Sequence, residues 1–374
     1  MKSIKELKNI KGKAVLLRVD FNVPIKNSRV FDDFRIIKSL PTINLLRKKG
    51  AKVILISHMG ADGSQSLLPV AKHIDKKFFK CAFMPSIIDS EVKQAVDTMN
   101  TGEVLLLENL RSNAGEMKNS VSFAKELASL ADIYVDDAFS AAHRAHASII
   151  GVPKYLPSYA GLQMTLEVKH LSKVLKNPKS PFLFVLGGAK FETKMPLIEK
   201  YLRIADVVFI TGALANNFFK AEGHEIGRSV VDSGKFGIEK ILKNKKLILP
   251  IDVIAENLER ESSVKNFTEI KKSDKIVDIG PETVKFLSKY ITQTKTVLWN
   301  GPTGYYEGGY IKATKQLLTA VAKSKTFSVI GGGDTVSLIM KFKMENKFSF
   351  VSTGGGATLD FLIQGTLPGI KALK

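Results

Sequence analysis

The feature that most constrains this chain is an alternation that runs from end to end. Short apolar runs of β-branched residues and leucine are separated by longer stretches with helical spacing. The runs are Ala14–Val19, Val53–Ser57, Val104–Leu107, Ile133–Val135, Phe182–Leu186, Val207–Thr211, Leu247–Leu249, Val297–Trp299, Phe327–Ile330 and Phe348–Val351. They show no polar alternation, which is the pattern of parallel strands buried on both faces in βαβ units. Ile36–Lys49, Ser120–Ala131, Met195–Ile204 and Ile311–Ala322 carry the helical spacing. The chain is therefore expected to be α/β and doubly wound. Gly151, Pro153, Pro157 and Gly161 cluster before a helical pattern, Gln163–Lys176. This predicts an N-terminal domain over 1–157 and a connecting helix plus C-terminal domain over 158–356. A length of 374 residues accommodates two such domains.

Composition excludes several classes. No run of about 18 apolar residues exists to span a membrane, and the lysine-rich start, Met1 to Lys13, has no apolar stretch of a secretory signal. One cysteine, Cys81, leaves no internal disulfide and fits a reducing cytoplasm. The net charge of +20 suits an acidic substrate, an anionic surface or nucleic acid. A nucleic-acid surface would need a basic stripe with interleaved aromatics or a docking motif. Neither is present, so no nucleic-acid or membrane partner is required.

Ligands of open α/β sheets bind beyond the carboxyl ends of strands, and the two halves end their strands differently. In the first half Asp20 and Asn22 follow one strand, His58 a second, Arg111 a third, and His143-Arg144 a fourth, with Arg35 nearby. Guanidinium groups bind carboxylate and phosphate oxygens through paired N–H groups, so this set points to a small polyanion. In the second half the turns are glycine-rich: Gly187-Gly188, Gly212, Gly301-Pro302, Gly331-Gly332-Gly333-Asp334-Thr335 and Gly354-Gly355-Gly356. Such turns let backbone N–H groups approach phosphate at a helix start. Lys190 and Lys194, four apart, are expected on one helical face, and Asp334 is placed to meet Mg²⁺ on nucleotide phosphates. The phosphate-loop and dinucleotide fingerprints are absent.

These segments, with Asp278–Thr283, Val297–Glu307 and Leu367-Pro368-Gly369, resemble the phosphoglycerate kinases in the family's order along nearly the whole chain. The resemblance implies two doubly wound parallel-sheet (Rossmann-like) domains joined by a hinge helix, with a C-terminal segment, 357–374, crossing back to the first. It implies reversible phosphoryl transfer from 1,3-bisphosphoglycerate to Mg-ADP, giving 3-phosphoglycerate and ATP, in a cytoplasmic monomer. The glycerate ligand would be held by Asp20, Asn22, Arg35, His58, Arg111 and Arg144. The nucleotide would be held by Gly188, Lys194, Asn300, Pro302, Glu307, Gly332, Gly333, Asp334 and Thr335, with Asp334 on the metal. Arg35, Lys190, Lys194, Gly355 and Gly356 would surround the phosphoryl group in flight. The chain departs from the family where Ala61-Asp62 follow Gly60 in place of Arg-Pro, and where Ser140-Ala141 replace Gly-Thr. The first departure removes a cation from the basic crevice, which makes a catalytically inactive relative the competing expectation.

Overall fold

The computed structural model describes residues 1–234 and 236–373. The chain divides into two compact units: Met1–Lys169 with Thr366–Lys374, and His170–Gly365. The sequence places the division at 157/158 and the returning segment at 357. By packing, it falls inside the connecting helix Leu162–Lys176 and after Gly365. The start of that helix is tied to the first unit, where Met164 N donates to Asp137 Oδ1 at 3.0 Å. Its later half belongs to the second, where the His170 ring stacks on Phe350 at 4.5 Å. The helix Gly356–Gln364 packs on Phe191–Ile204, so it stays with the second unit. Only after it does the chain join the first, where Gly369 N donates to Ala142 O at 2.8 Å. Lys374, the last residue of the expected returning segment, lies outside the described residues.

Each unit is built on a six-stranded sheet, parallel throughout. The first runs in the order Ala82–Met84, Val104–Leu107, Lys52–Ile56, Ala14–Arg18, Ile133–Asp136, Ser158–Ala160. The second runs Leu247–Ile248, Val207–Ile210, Phe182–Leu186, Thr296–Asn300, Phe327–Gly331, Phe350–Val351. In each, the chain builds outward from one central strand, first to one side and then to the other. Crevices at such reversals collect ligands. The central strands are Ala14–Arg18 and Phe182–Leu186, and Val15, Leu16, Leu17, Phe182 and Phe184 are fully buried. A three-stranded antiparallel sheet, Val253–Glu256, Ser262–Lys265 and Lys275–Ile279, flanks the second unit's site. Among the described residues no helix is long and apolar enough to cross a membrane.

Two consequences are measurable. Phe184 is fully buried with its ring 4.4 Å from that of Tyr201, so Phe184→Ala is expected to cost about 3–5 kcal/mol. The single tryptophan, Trp299, lies in the adjacent strand and reports the transition by fluorescence in urea; an unchanged midpoint would contradict the packing. In the first unit, burial lifts the Asp136 carboxyl from 3.8 to about 7, and its Oδ2 has no partner among the described residues. The folded state then holds a proton that the unfolded chain releases between those two values, so this residue's contribution to stability falls as pH rises through that window. Asp136→Asn should therefore gain stability relative to the parent as pH rises from about 4 to about 7 in a series of urea melts. A difference that is flat with pH would contradict the assignment.

Candidate active site

In the first unit the strand ends converge as the sequence predicts. Asp20, nearly buried, accepts from Arg35 Nη1 at 2.8 Å, from the hydroxyl of Ser140, and through Oδ1 from Asn22 N at 3.1 Å. Asn22 Oδ1 accepts from Gly60 N at 3.1 Å, and Arg35 also donates to Asn22 O at 3.3 Å. Arg111 Nη1 donates to Gly60 O at 2.5 Å, and its buried Nε has no partner among the described residues. Arg144 is exposed on the loop after Ala141. His58 is buried, and its pKa lies well below the ordinary value through burial and then the charges of Arg18, Arg111, Arg144 and Arg35. Arg111 is lowered as well, by burial, Arg144 and Arg18. Like charge thus repels like here, and the four guanidinium groups disfavour the protonated form of the imidazole. A polyanion relieves that repulsion, and Arg111 Nε is a donor without an acceptor until one arrives.

Two further residues here were given no role from the sequence. Arg18 is fully buried at the end of the central strand, where an apolar side chain would be expected. Ser140, which replaces the family's usual glycine, donates to Asp20 and helps fix the carboxylate on which Arg35 rests.

In the second unit the central strands meet through glycine. Gly187 N donates to Asn300 O at 2.8 Å, and a Cβ on Gly187 would collide with Pro302 O. Three helices, Ala213–Ala221, Gly333–Lys341 and Gly356–Gln364, begin on Gly212, Gly332 and Gly355, all with positive φ and no side-chain cap. In two of them a first-turn N–H has a backbone acceptor, Leu214 N to Gly188 O at 3.1 Å and Ala357 N to Gly354 O at 3.0 Å, and the positive dipole ends favour an anion. A cavity of about 340 Å³ opens beside Gly212, Ala213 and Asp334. Gly188, Pro302, Glu307 and Asp334 line it together with Phe219 and Ile276, giving an apolar slot with a charged mouth. Lys194, Asn300, Gly332, Gly333 and Thr335 do not line the slot itself. Of these, Gly332 and Asn300 are neighbours: a Cβ on Gly332 would stand 3.3 Å from Asn300 Oδ1. Asn300 Nδ2 and Thr335 Oγ1 are buried with no partner among the described residues.

Lys194 is almost buried and donates to Gly187 O at 2.5 Å. Burial brings its pKa down to about 8, against the pull of Asp334 and with the push of Lys190. The expectation of two lysines on one helical face needs correction. The helix is Phe191–Ile204, and Lys190 is its exposed N-cap, held at φ +61° outside the helical spiral. Glycines at 187 and 188 leave the turn to finish on Lys190 in the left-handed region, so the helix starts one residue later than the four-residue spacing assumes. Gly355 caps its helix and Gly356 opens the first turn. Thr303 and Asp278, given no role from the sequence, also line the slot, where Thr303 Oγ1 donates to Asp278 Oδ1 at 2.8 Å. Burial lifts that carboxyl to about 6.

The donor set bears on magnesium. Among the described residues no group of three His, Cys, Asp or Glu side chains is arranged to hold a metal ion. Mg²⁺ on nucleotide phosphates needs only one or two protein carboxylates, because phosphate and water supply the rest. Asp334, raised by partial burial and by Glu307, is such a carboxylate, so the residues fit a metal carried in with the nucleotide.

The comparisons agree with this geometry. The family model for phosphoglycerate kinase matches residues 4–365. The phosphoglycerate kinase of Coprothermobacter proteolyticus is 42% identical, covering 100% of this chain and 98% of that protein. That of Dictyoglomus turgidum is 41% identical, covering 100% and 99%. Among solved structures, phosphoglycerate kinase from Pyrococcus horikoshii OT3 superposes with a TM-score of 0.90 at 30% identity, covering 100% of this chain and 98% of that one. The enzyme from Coxiella burnetii gives 0.84 at 38% identity, covering 99% and 98%. With its residues, its two sheets and its strand-end chemistry all in agreement, the chain belongs to the phosphoglycerate kinase family.

Proposed function

We propose that the chain catalyses the glycolytic transfer of a phosphoryl group from 1,3-bisphosphoglycerate to Mg-ADP, giving 3-phosphoglycerate and ATP, and the reverse. The observation that carries the reading is the division of labour between units. Guanidinium groups crowd one strand edge with a donor to spare, and bare helix starts crowd the other. One edge suits the glycerate carboxylate and phosphate, and the other a nucleotide.

In the reaction a β-phosphate oxygen of ADP attacks the acyl phosphorus, and the bond to the carboxylate oxygen breaks. The leaving group is a stabilised anion and needs no proton. The protein's task is in-line placement and positive charge around three equatorial oxygens. Asp20, Asn22, His58, Arg111 and Arg144 bind and orient the metabolite, with Asp20 also aiming Arg35. Glu307, Asn300, Pro302 and the turn Gly332–Thr335 bind the nucleotide, and Gly188 lets its backbone approach. Arg35, Lys190, Lys194 and the amides of Gly355 and Gly356 spread the charge of the moving group. Asp334 would hold Mg²⁺, which neutralises phosphate charge. Because the two ligands belong to different units, transfer requires closure about the helix Leu162–Lys176, which also keeps water from a hydrolysable acyl phosphate. We place the enzyme in the cytoplasm, a reading in keeping with the free Cys81, and expect it to act as a monomer.

A coupled assay of the purified chain is expected to show ATP formed from 1,3-bisphosphoglycerate and Mg-ADP. Arg35→Ala should lose at least about 10³-fold in kcat, as other phosphoryl-stabilising arginines do. Chelating magnesium should abolish turnover. Near-normal turnover of the variant would refute the role of Arg35, and a folded chain without activity would support the inactive relative.

A further inference from the structure

A line of buried side chains beneath the cationic crevice of the first unit ends at Glu116. Glu116 has no exposed surface and lies in the short helix Ala114–Met117. Its carboxylate accepts from Ser148 N at 2.9 Å and from Ser148 Oγ at 2.6 Å. A serine hydroxyl has one hydrogen to give. With that hydrogen on Glu116, Ser148 Oγ can only accept from Arg18 Nε, 3.1 Å away. Ser148 sits in the π-helical turn Ala147–Gly151 and is held from the other side by Tyr134, whose hydroxyl donates to Ser148 O at 2.5 Å. Arg18 then points its two terminal nitrogens elsewhere. Nη1 donates to Val19 O at 2.5 Å, and Nη2 lies 3.0 Å from His58 Nδ1. A guanidinium offers donors only and does not give up its proton. His58 Nδ1 must therefore accept, and the ring proton sits on Nε2.

We propose that Glu116, too deeply buried to touch a ligand, is a positioning residue: through Ser148 and Arg18 it holds His58 as the neutral Nε2–H tautomer. The ring then meets the acidic metabolite as a hydrogen-bond donor and not as a cation. The inference rests on the reading above that His58 contacts that metabolite.

The charges around the ring agree. Arg18 from the central strand, Arg35 from the helix Phe34–Lys48, Arg111 after Leu107 and Arg144 after Ala141 all act on it with the same sign, and burial adds to them. A positive charge on the ring would face four guanidinium groups and have no acceptor for its Nδ1 proton. His146 Nδ1 lies 3.8 Å from Glu116 Oε1, but burial and then Arg111, Arg144 and Arg18 push its pKa down to about 4, so it stays neutral and does not compete for the carboxylate. The buried Arg18 needs a nearby negative group, because an uncompensated internal charge is strongly destabilising. Glu116 supplies it at one hydroxyl's remove. The device gives the crevice a donor whose charge does not change across the range in which an ordinary histidine titrates.

The test uses the full chain with ¹⁵N-labelled histidine and long-range ¹H–¹⁵N correlation spectra between about pH 6 and pH 8, where a free imidazole changes charge. His58 is expected to show a protonated Nε2, a bare Nδ1 and no titration. In Ser148→Ala the ring should become a tautomer mixture. The KM for 3-phosphoglycerate should then rise roughly tenfold, the loss of one charge-assisted hydrogen bond, while the nucleotide KM stays within about twofold. Ser148→Thr keeps the hydroxyl and should restore both. Should Ser148→Ala not fold, Glu116→Gln carries the same expectations. A parent His58 that is charged or protonated at Nδ1 would overturn the proposal. So would a variant in which tautomer or KM does not move. The tautomer is read without turnover, so an inactive chain would refute the reaction while leaving the assignment of the ring intact.

Discussion

Parallel pairing forces every strand of a sheet to finish at the same edge, and the rest of this molecule follows from that constraint. Residues far apart in sequence are delivered side by side without any local motif: Asp20, His58, Arg111 and Arg144 each follow a different segment of the first unit. The second unit uses the same edge of the same architecture for the opposite purpose. There the side chains are withdrawn and the backbone is presented, with Gly212, Gly332 and Gly355 opening helices that have no side-chain caps. Fold and chemistry are thus separable, and function resides in what stands at the strand ends.

Crowding like charges has a cost that the surrounding structure offsets. Arg18 is buried whole, and Glu116 balances it through Ser148. Arg35 rests on Asp20, which Ser140 also holds. In the second unit Lys194 is pressed against Gly187 O with its pKa brought down to about 8. Burial and the charge of Glu307 raise the cost of ionising Asp334. On the proposed reading a ligand of opposite charge relieves the crowded cations, which is the electrostatic preorganisation that phosphoryl transfer requires.

Much of this was legible in the sequence, for identifiable reasons. Strands buried on both faces lose their polar alternation, so runs such as Val104–Leu107 and Phe182–Leu186 coincide with the strands themselves. The antiparallel strands were not legible, because Ser262–Lys265 is almost wholly exposed and has no apolar face to show. Ala82–Met84 and Ser158–Ala160 are too short to carry a pattern and exist through their neighbours. Charged residues after apolar runs marked the site, but Arg18 lies inside a strand and Glu116 in a four-residue helix too short to show a pattern. Their link through Ser148 spans 130 residues from Arg18 and leaves no spacing to read. Lys190 shows the limit of periodicity, since four residues mean one helical face only if both residues lie within the helix.

The central claim is that the two ligands have separate homes, one in each unit. Calorimetric titration of 3-phosphoglycerate and of Mg-ADP into the parent chain, Arg111→Ala and Lys194→Ala tests it most directly. The account predicts that Arg111→Ala weakens 3-phosphoglycerate by about 1.5–3 kcal/mol, the range for a hydrogen bond to a charged group, and leaves Mg-ADP unchanged. Lys194→Ala should do the reverse. If either substitution weakened both ligands equally, or neither, the division of labour would be wrong.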